Sequence, residues 1–511
     1  MSSVANKKCL FLLIIFFMLI FISPGFASEL VLQKNVMQLS IEEGKLMVLK
    51  NNLDIAIHQI SPLIETSRIT SKKGSFDPLI SGSFKREDSS TPLSTRSSVA
   101  AGGRSTVKSE VYSLSTGASG KSSIGTKYSI GFEDIWTQNT FNSFDAEYDA
   151  FAGIRITQPL MKDAGRDVNN FDIVIARKNR DISISDLRQH TIDTLADFKK
   201  AYWNLVLAFE DLKVKEEAIK LAESLLDLNR KRLKADVSSP LEVTHAEAGV
   251  ASRQEDLIVA KNSVREKENA LKKLISNDIY SLRNTDIMPS STPVVSEVIS
   301  DLDRNFREGI ENRPDYSKVK TEIDKNNITV KYAKNQKFPA IDLEASYGFN
   351  GLGNSFSDSI DSMNKNDEWS LGIIATFPIG NRIAKGDLRI AELKAQQELL
   401  NLKKLEQEIL VEIDNAMREV ETNMQRIKAA KISNHLAEES LRAEETKLRE
   451  GLSTSHDVLE FQEELAQARS REISAIIDYN KSLVELSRVK GTILQEEGIS
   501  IADDTITLVR R

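Results

Sequence analysis

Cysteine is almost absent from this chain of 511 residues, and the absence removes whole classes of chemistry. The single cysteine, Cys9, lies just before an apolar run that begins at Leu10. That position excludes Cys9 as the lipid-bearing first residue of a mature lipoprotein. Since the segment around it is predicted below to be removed, the mature chain is expected to have no disulfide, no thiol and no cysteine metal site.

Long apolar runs are also lacking beyond residue 30. The one such run, 10–22, follows two lysines and precedes a small-residue sequence that ends at Ala27. Because the run is shorter than the roughly 20 residues of a bilayer-spanning helix, we predict a secretory signal peptide, residues 1–27; an uncleaved anchor is the alternative. The exported chain is then expected either to be soluble outside the inner membrane or to cross the outer membrane as a β-barrel.

Sequence motifs of enzymes are missing as well. There is no HExxH, no phosphate-binding GxxxxGK and no GxSxG, and the glycines of 117–120 and 351–353 are expected in loops with no helix after them. The net charge is −7 without a basic face, which argues against nucleic acid as a partner. We therefore predict no enzymatic activity, no cofactor and no metal site. The histidines are scattered and are expected at the surface: His58, His190, His245, His435 and His456.

The chain does contain an internal repeat with a constant offset in numbering (448 − 233 = 215). The segment 233–257 aligns without a gap on the segment 448–472. Upstream, ITQPLMKDAGR (156–166) resembles ATFPIGNRIAKG (375–386), and SFDPLISGSF (75–84) resembles KFPAIDLEASYGF (337–349). Three matches in the same order predict two structural repeats, each containing strands, a long helix, a tight turn and a second long helix.

Alternation of apolar and polar residues predicts strands with one apolar and one wet face. IDLEASYGF (341–349) and WSLGIIATF (369–377) alternate most clearly. The alternating segments of the first repeat are about 78–86, 124–135 and 148–158, while a fourth, about 108–118, is ambiguous.

Serine-, threonine-, glycine- and asparagine-rich segments separate these strands. Two of them, about 88–123 and 350–367, are expected to be exposed loops. Trp136 and Trp369 fall near strand ends beside the loops. Two interpretations stay open for both: interfacial aromatics of a membrane sheet, or core tryptophans of a soluble one.

The helical segments have a seven-residue apolar period that predicts coiled-coil packing. The segment 383–450 contains no proline, and at about 1.5 Å per residue it spans roughly 100 Å. The equivalent helix of the first repeat is 168–235. The predicted seams of 383–450 are Leu399, Ile413, Val420, Ile427 and Leu441 on one side, and Leu402, Ile409, Ala416, Ala430 and Ala437 on the other.

Two strand hairpins per chain cannot close a barrel in a membrane, because open edges would leave unpaired backbone groups in lipid. Three copies would supply about twelve strands and twelve long helices. The expected fold class is therefore α with membrane β: a trimeric α/β-barrel duct with long coiled-coil hairpins, a shared 12-stranded outer-membrane barrel and two repeats per chain. A periplasmic coiled-coil adaptor or scaffold is the alternative, although it predicts one hairpin rather than two.

The T-x-P-[LI] segments at 157–160 and 376–379, together with the turn 448–458, resemble the TolC-type outer-membrane efflux proteins over about 30–495. The resemblance implies a homotrimer in outer-membrane lipid, a periplasmic tunnel, and an equatorial region near 30–70, 278–330 and after 490. The expected divisions are 1–27, signal peptide; 28–277, first repeat (strands 76–158, helices 168–235 and 239–276); 278–312, linker; 313–495, second repeat (strands 338–349 and 369–378, helices 383–450 and 454–494); 496–511, tail.

The turns at 234–240 and 449–455 are the expected periplasmic tips. Gly451 suits a left-handed helix end and Asp236 can replace it, while Ser238, and Ser453 or Thr454, can cap the helices that follow. The resemblance implies that such tips dock on a periplasmic adaptor linked to an inner-membrane pump. The expected contacts are Asp236, Val237, Ser238, Gly451, Leu452 and Ser453.

Three carboxylates follow the tips: Glu242, Asp457 and Glu460. The resemblance implies that they form an acidic ring at the constriction of the tunnel, although an exposed helix face would contain the same residues. The tyrosine and arginine that latch well-known relatives correspond to Leu448 and Ser453 here. We expect the function of an exit duct in a tripartite efflux or type I secretion system, with a latch that is absent or built differently.

Overall fold

The structure is a computed structural model that describes residues 35–140, 146–296, 301–502 and 505–508. The predicted signal peptide lies outside the described residues. Within them, no helix is long and apolar enough to cross a membrane.

The chain alternates short strands and helices with four long helices. The strands are β1 Asn35–Leu39, β2 Leu79–Pro92, β3 Thr106–Lys121, β4 Lys127–Asn139, β5 Glu147–Pro159, β6 Thr285–Pro289, β7 Ala340–Gly353, β8 Asp367–Thr376, β9 Ile499–Ala502 and β10 Thr505–Leu508. The helices are α1 Ile41–Asn51, α2 Leu53–Lys73, α3 Thr95–Ala100, α4 Arg166–Asn169, α5 Phe171–Lys234, α6 Pro240–Ile275, α7 Leu302–Asn312, α8 Pro314–Gln336, α9 Phe356–Met363, α10 Arg382–Arg449, α11 Ser455–Lys490 and α12 Ile493–Glu496.

Six strands form one antiparallel sheet in the order β2-β3-β4-β5-β7-β8. All six lie on segments that alternation indicated, the ambiguous 108–118 among them. The count of two strand hairpins per chain, and hence of twelve strands in three copies, is two strands per chain short of this sheet. The predicted loop 88–123 contains the end of β2, helix α3 and all of β3, and 350–367 contains the end of β7 and helix α9. The glycines of 117–120 and 351–353 likewise lie in strands and not in loops. Serine and glycine are typical of loops, but a strand with one face in water accommodates both residues as well.

The two faces of this sheet differ sharply in polarity. One face, which we call the apolar face, carries exposed large side chains on every strand: Ile80, Phe84, Leu114, Ile130, Ile154, Ile156, Tyr347, Phe349, Trp369, Leu371 and Ile373. The other, the polar face, carries mostly hydroxyl and charged side chains, and the hydroxyls of Ser83 and Ser115 lie 2.8 Å apart across β2 and β3. Trp136 and Trp369 both lie on the apolar face, near strand ends.

The long helices pair as two hairpins, α5 with α6 and α10 with α11. They begin and end at 171–234, 240–275, 382–449 and 455–490. In α10 the predicted seam residues Ile409, Ile413 and Val420 are buried. Leu399 is exposed in the single chain, so its place in a seam stays a prediction that depends on a neighbouring copy. Leu399 lies on the part of α10 nearer the sheet, where no helix described in the same chain covers that position.

A mixed layer lies between the sheet and the hairpin ends. Strands β1 and β6 pair in parallel, although Asn35 and its partner Thr285 are far apart in the sequence. They pack on the middle of α5, where Phe198, Tyr202 and Leu205 are fully buried. Helices α1 and α2 and strand β9 complete this core, which joins the strands β1 and β9 to the first hairpin.

Candidate functional site at the helix-hairpin tips

The turns between the paired helices have the same backbone geometry in both repeats. Asp236 and Gly451 have φ of 57° and 77°, the left-handed conformation that ends a helix. In the first turn, Val237 N donates to Arg232 O at 3.0 Å; in the second, Leu452 N donates to Lys447 O at 2.8 Å. The donors, and likewise the acceptors, are related by the offset of the sequence repeat. The backbone hydrogen bonds of the turn therefore repeat with the sequence.

Both turns expose an apolar side chain at their tip. Val237 is 63% exposed and Leu452 is 74% exposed, and Leu241 beside the first tip is exposed as well. A helical turn does not require an apolar residue there. These side chains contact no apolar cluster among the described residues of the chain, so they are available to another molecule.

The helices after the turns are capped differently from each other. Thr454 caps α11: its Oγ1 accepts from Asp457 N, and Asp457 Oδ2 accepts from Thr454 N, a reciprocal capping box. In the first repeat α6 starts at Pro240, after Ser239, and has no side-chain cap. Ser238 was therefore wrongly expected to cap, since Pro240 sets the helix start one residue later.

Hydrogen bonds tie the two tips to each other. Glu242 Oε2 accepts from Ser455 N at 2.9 Å, so a side chain of the first hairpin caps the first turn of the second. Arg232 Nη1 donates to Leu448 O at 2.9 Å. Ser455 Oγ donates to Asn229 Oδ1 at 3.1 Å, in a position where both side chains are buried. The sequence did not single out Asn229, Arg232 or Ser455, because nothing in one repeat reveals contacts to the other.

The three carboxylates expected to act together have three different environments. The hydrogen bonds from Ser455 hold the pKa of Glu242 below its ordinary value, and those from Thr454 do the same for Asp457. The Ser453 hydroxyl lies 2.5 Å from a carboxylate oxygen of Glu444 and 3.3 Å from one of Asp457. Glu460 is exposed on the surface of α11. Two of the three thus stabilise the start of α11, and all three lie near the two joined tips.

Four of the five histidines, which the sequence showed as scattered, are brought together in pairs. His58 and His190 stack with ring centroids 3.4 Å apart, and His245 and His456 lie 5.9 Å apart near the tips. Burial and the neighbouring His190 lower the pKa of His58. Among the described residues, no group of three or more histidine, cysteine or carboxylate side chains is arranged to hold a metal ion.

Replacing Glu242 with glutamine is expected to loosen the first turn of α11. A lost charged cap costs about 1 kcal/mol, so the Ser455 amide should exchange with solvent roughly fivefold faster in hydrogen-exchange measurements at pH 7. Folding lowers the pKa of Glu242, so its contribution is complete above the ordinary value of 4.5. It is lost as the pH falls through the lower folded value. The difference between the two proteins should therefore vanish in acid.

The matched control is Glu460→Gln, the same substitution on an exposed position of α11. Unchanged exchange at Ser455 in Glu242→Gln would show that this cap is not formed in solution.

The sequence matches the model of the outer membrane efflux protein family over residues 112–277 and 306–492, more than half of the chain. The chain belongs to this family. The family membership confirms the resemblance stated from the sequence and the expected outer-membrane location with a periplasmic extension.

Solved structures of the same fold accompany this match. The Campylobacter jejuni CmeC outer membrane channel superposes with a TM-score of 0.64 and 18% identity, over 88% of this chain and 85% of CmeC. The open state of the Neisseria gonorrhoeae MtrE outer membrane channel gives 0.61 and 17%, over 88% of each chain. These similarities confirm the fold class, long coiled-coil hairpins joined to an antiparallel sheet in two repeats, and the family is one of efflux channels.

One curated relative is similar over a limited part of its length. The fusaric acid resistance protein FusA of Burkholderia cepacia is 25% identical over 205 residues, which are 38% of this chain and 36% of FusA. The aligned region is thus about a third of that relative.

Proposed function

We propose that three copies of this chain form a passive exit duct, which conducts substrates from an inner-membrane pump to the exterior in a tripartite efflux or type I secretion system. The observation that carries the proposal is the open sheet. Its apolar face suits lipid, but its outer strands, β2 and β8, have no partner within the described chain on one side. Unpaired strand edges are not tolerated in lipid, so other copies must complete the sheet.

The helices next to the two edges support closure by further copies. Helix α2 leads into β2 and exposes a stripe at helical spacing: Leu53, Ile57, Ile60 and Ile64. Helix α10 follows β8 and exposes another: Ile383, Ile390, Leu393 and Leu400. We call these the α2 stripe and the α10 stripe. Since they continue opposite edges of one sheet, the α2 stripe of one copy meets the α10 stripe of the next.

The exposed hairpin tips support the proposed docking of a partner protein. Val237 and Leu452 are exposed at the end of the molecule farthest from the sheet, where a periplasmic adaptor would dock. We propose Asp236, Val237, Ser238, Gly451, Leu452 and Ser453 as its contacts. Photo-cross-linking from position 452 in intact cells identifies such a partner, with Val99, an exposed residue of α3 at the opposite end, as the control position. Equal yields from both positions would exclude docking at the tip.

The duct is proposed to be passive and non-enzymatic. The sequence contains no nucleotide-binding or hydrolase motif. The charged side chains around the cavity of about 800 Å³ between α5, α10 and α11 pair largely with one another, as Arg488 does with Asp193 and Glu485. Energy for export is then supplied by the pump.

The acidic residues Glu242, Asp457 and Glu460 are proposed to line the narrow end of the tunnel, where threefold repetition makes rings that favour cations. Trimers in planar bilayers without nucleotide are expected to conduct and to prefer K⁺ over Cl⁻. Asp457→Asn combined with Glu460→Gln should move the reversal potential in a salt gradient substantially towards zero. Glu421→Gln, an exposed carboxylate elsewhere on α10, is the control. Unchanged selectivity in the double variant would refute the ring.

The alternative from the sequence, a periplasmic adaptor or scaffold, is separated by fractionation. Both hairpins connect directly to a sheet whose apolar face is exposed. A periplasmic adaptor would expose such a face to water, which is unfavourable. Recovery with the outer membrane and trimers that dissociate only on heating support the duct. Release of the protein with the soluble periplasmic fraction would favour the adaptor.

A further inference from the structure

Two of the six strands have no direct connection to a helix of the duct. Strands β2, β5, β7 and β8 each lead to or from helices of the body, through α2, α4, α8 and α10 respectively. Strands β3 and β4 instead form a hairpin joined by the turn 122–126, on the side of the sheet that faces the helices. The other four strands each connect to a helix of the body. Strands β3 and β4 are therefore additional to the strands that link the sheet to the helices.

The added hairpin is a full part of the sheet. β3 pairs with β2 along 14 residue pairs, and with β4 along 13. Its polarity continues that of its neighbours: Tyr112, Leu114 and Ile130 lie on the apolar face, while Ser113, Ser115 and Ser129 lie on the polar face. A hairpin outside the membrane wall would not need to alternate in phase with the wall.

The turn of this hairpin is anchored where the wall meets the helices. Gly165 N donates to Ile124 O at 3.2 Å, and Asn170 Nδ2 donates to Ser123 O at 3.5 Å. Gly125 has φ of 99°, and a Cβ atom there would lie 2.7 Å from Asp163 O. Only glycine fits this contact. The turn end of the added hairpin is thus held beside the junction of β5 with α4.

A row of glycines indicates which face is the inside of the curve. Gly117, Gly131, Gly153 and Gly348 are direct partners across β3, β4, β5 and β7, all on the polar face. A Cβ atom on Gly117 would lie 2.7 Å from Ile130 O. Glycines at adjacent positions allow strands to bend towards that face. Such a row favours curvature with the polar face inward, through both added strands.

We infer that the assembled protein closes a barrel of eighteen strands, six from each of three copies, with the β2 edge of one copy paired to the β8 edge of the next. The inference rests on the trimer proposed above. With strands about 4.8 Å apart and tilted by about 40°, eighteen strands make a barrel roughly 35 Å across, against roughly 24 Å for twelve.

The wider barrel leaves the helical tunnel as the part of the duct that limits passage. Each copy still contributes only four long helices, α5, α6, α10 and α11, from the part of the chain that the structure describes, so the helical tunnel gains nothing in width from the added strands. The barrel adds a hydroxyl-rich lining, to which Ser113, Ser115 and Ser129 contribute. The barrel then does not select substrates by size, and such selection occurs in the helical tunnel and at the tips.

Disulfide cross-linking in outer membranes tests the strand order, since Cys9 is the only natural cysteine. Two pairs within one chain report on the hairpin: Ser83→Cys with Ser115→Cys for β2–β3, and Ser129→Cys with Arg155→Cys for β4–β5. Contacts between copies are scanned from Ser370→Cys on β8. Its partners are cysteines at Ser81, Ser83 or Lys85 on β2, or at Ser129, Glu133 or Thr137 on β4.

Eighteen strands predict that both pairs within one chain form, and that Ser370→Cys forms covalent dimers and trimers with β2 positions only. Cross-links between copies to β4 instead would leave β2 and β3 outside the wall and overturn the inference. A cysteine at Ser83 that couples in the same chain to one at Phe151, the β5 residue level with it, would place β3 and β4 outside the sheet and would also overturn the inference. If both pairs within the chain form but Ser370→Cys reaches no strand of another copy, the proposed trimer itself fails.

Discussion

Replacing Tyr202 with alanine is expected to be among the most destabilising single changes in this protein. The ring lies in the middle of α5, is 0% exposed, and packs against Phe198 and Trp203. Its hydroxyl donates to Leu39 O at 2.9 Å. Loss of a buried aromatic side chain costs about 3–5 kcal/mol. We expect a markedly lower urea midpoint for the purified full chain, measured by pulse proteolysis.

Tyr202→Phe separates the hydroxyl from the ring. The same hydroxyl accepts from Ser290 N at 3.1 Å and from Ser291 N at 2.9 Å, so it joins the strand β1 to the segment after β6. Removing it leaves buried backbone groups unsatisfied and should cost about 1–3 kcal/mol. Tyr280, which is 68% exposed, provides the matched controls Tyr280→Ala and Tyr280→Phe, expected to change little. Equal midpoints for Tyr202→Phe and the natural protein would contradict this role of the hydroxyl.

Introducing two carboxylates into the α2 stripe, with Ile57→Glu and Ile60→Glu, is expected to abolish the trimer. Both side chains are exposed in the single chain but are proposed to pack on the α10 stripe of the next copy. An unpaired carboxylate buried there costs several kcal/mol, and two exceed what most interfaces tolerate. Light scattering of the detergent-purified protein should show single chains, and the trimer band on mild gels should disappear.

Lys72→Glu is the control for this experiment. It places the same carboxylate on the same helix, at an exposed position to one side of the α2 stripe. The trimer is expected to persist in this variant. A stable trimer in the Ile57→Glu, Ile60→Glu double variant would mean that the α2 stripe is not an interface, and would remove the main support for closure along that edge.

The helical part of the fold could be predicted from sequence because its signals are local and repeated. Seven-residue spacing indicated Ile409, Ile413 and Val420 as core residues of α10, and they are buried. The constant offset between the repeats located both tips, whose hydrogen bonds repeat with the same offset. Leu399 shows the limit of the method, since periodicity marks a stripe without stating which neighbour covers it.

The sheet was only partly predictable, for a physical reason. A strand in a membrane wall needs one apolar side chain in two, and the other face accepts any polar or small residue. In β3 that face contains Ser109, Ser113, Ser115, Gly117 and Ser119, which have the composition of a loop. The alternation at 108–118 was visible but ambiguous. Pairing with β2 and β4, which are separate segments of the sequence, decides that this segment is a strand.

The sequence by itself determined that this is an exported, two-repeat chain of long helices and alternating strands. Composition, apolar spacing and internal repetition can all be seen in the order of the residues, without knowing which segments touch. The tertiary structure alone decided how many strands the sheet of one chain contains, which side chains join the two tips, and which apolar stripes stay uncovered in that chain. Glu242 and Ser455 lie in different repeats, yet they share a hydrogen bond. Contacts of this kind depend on where whole helices lie, and no local pattern records that position.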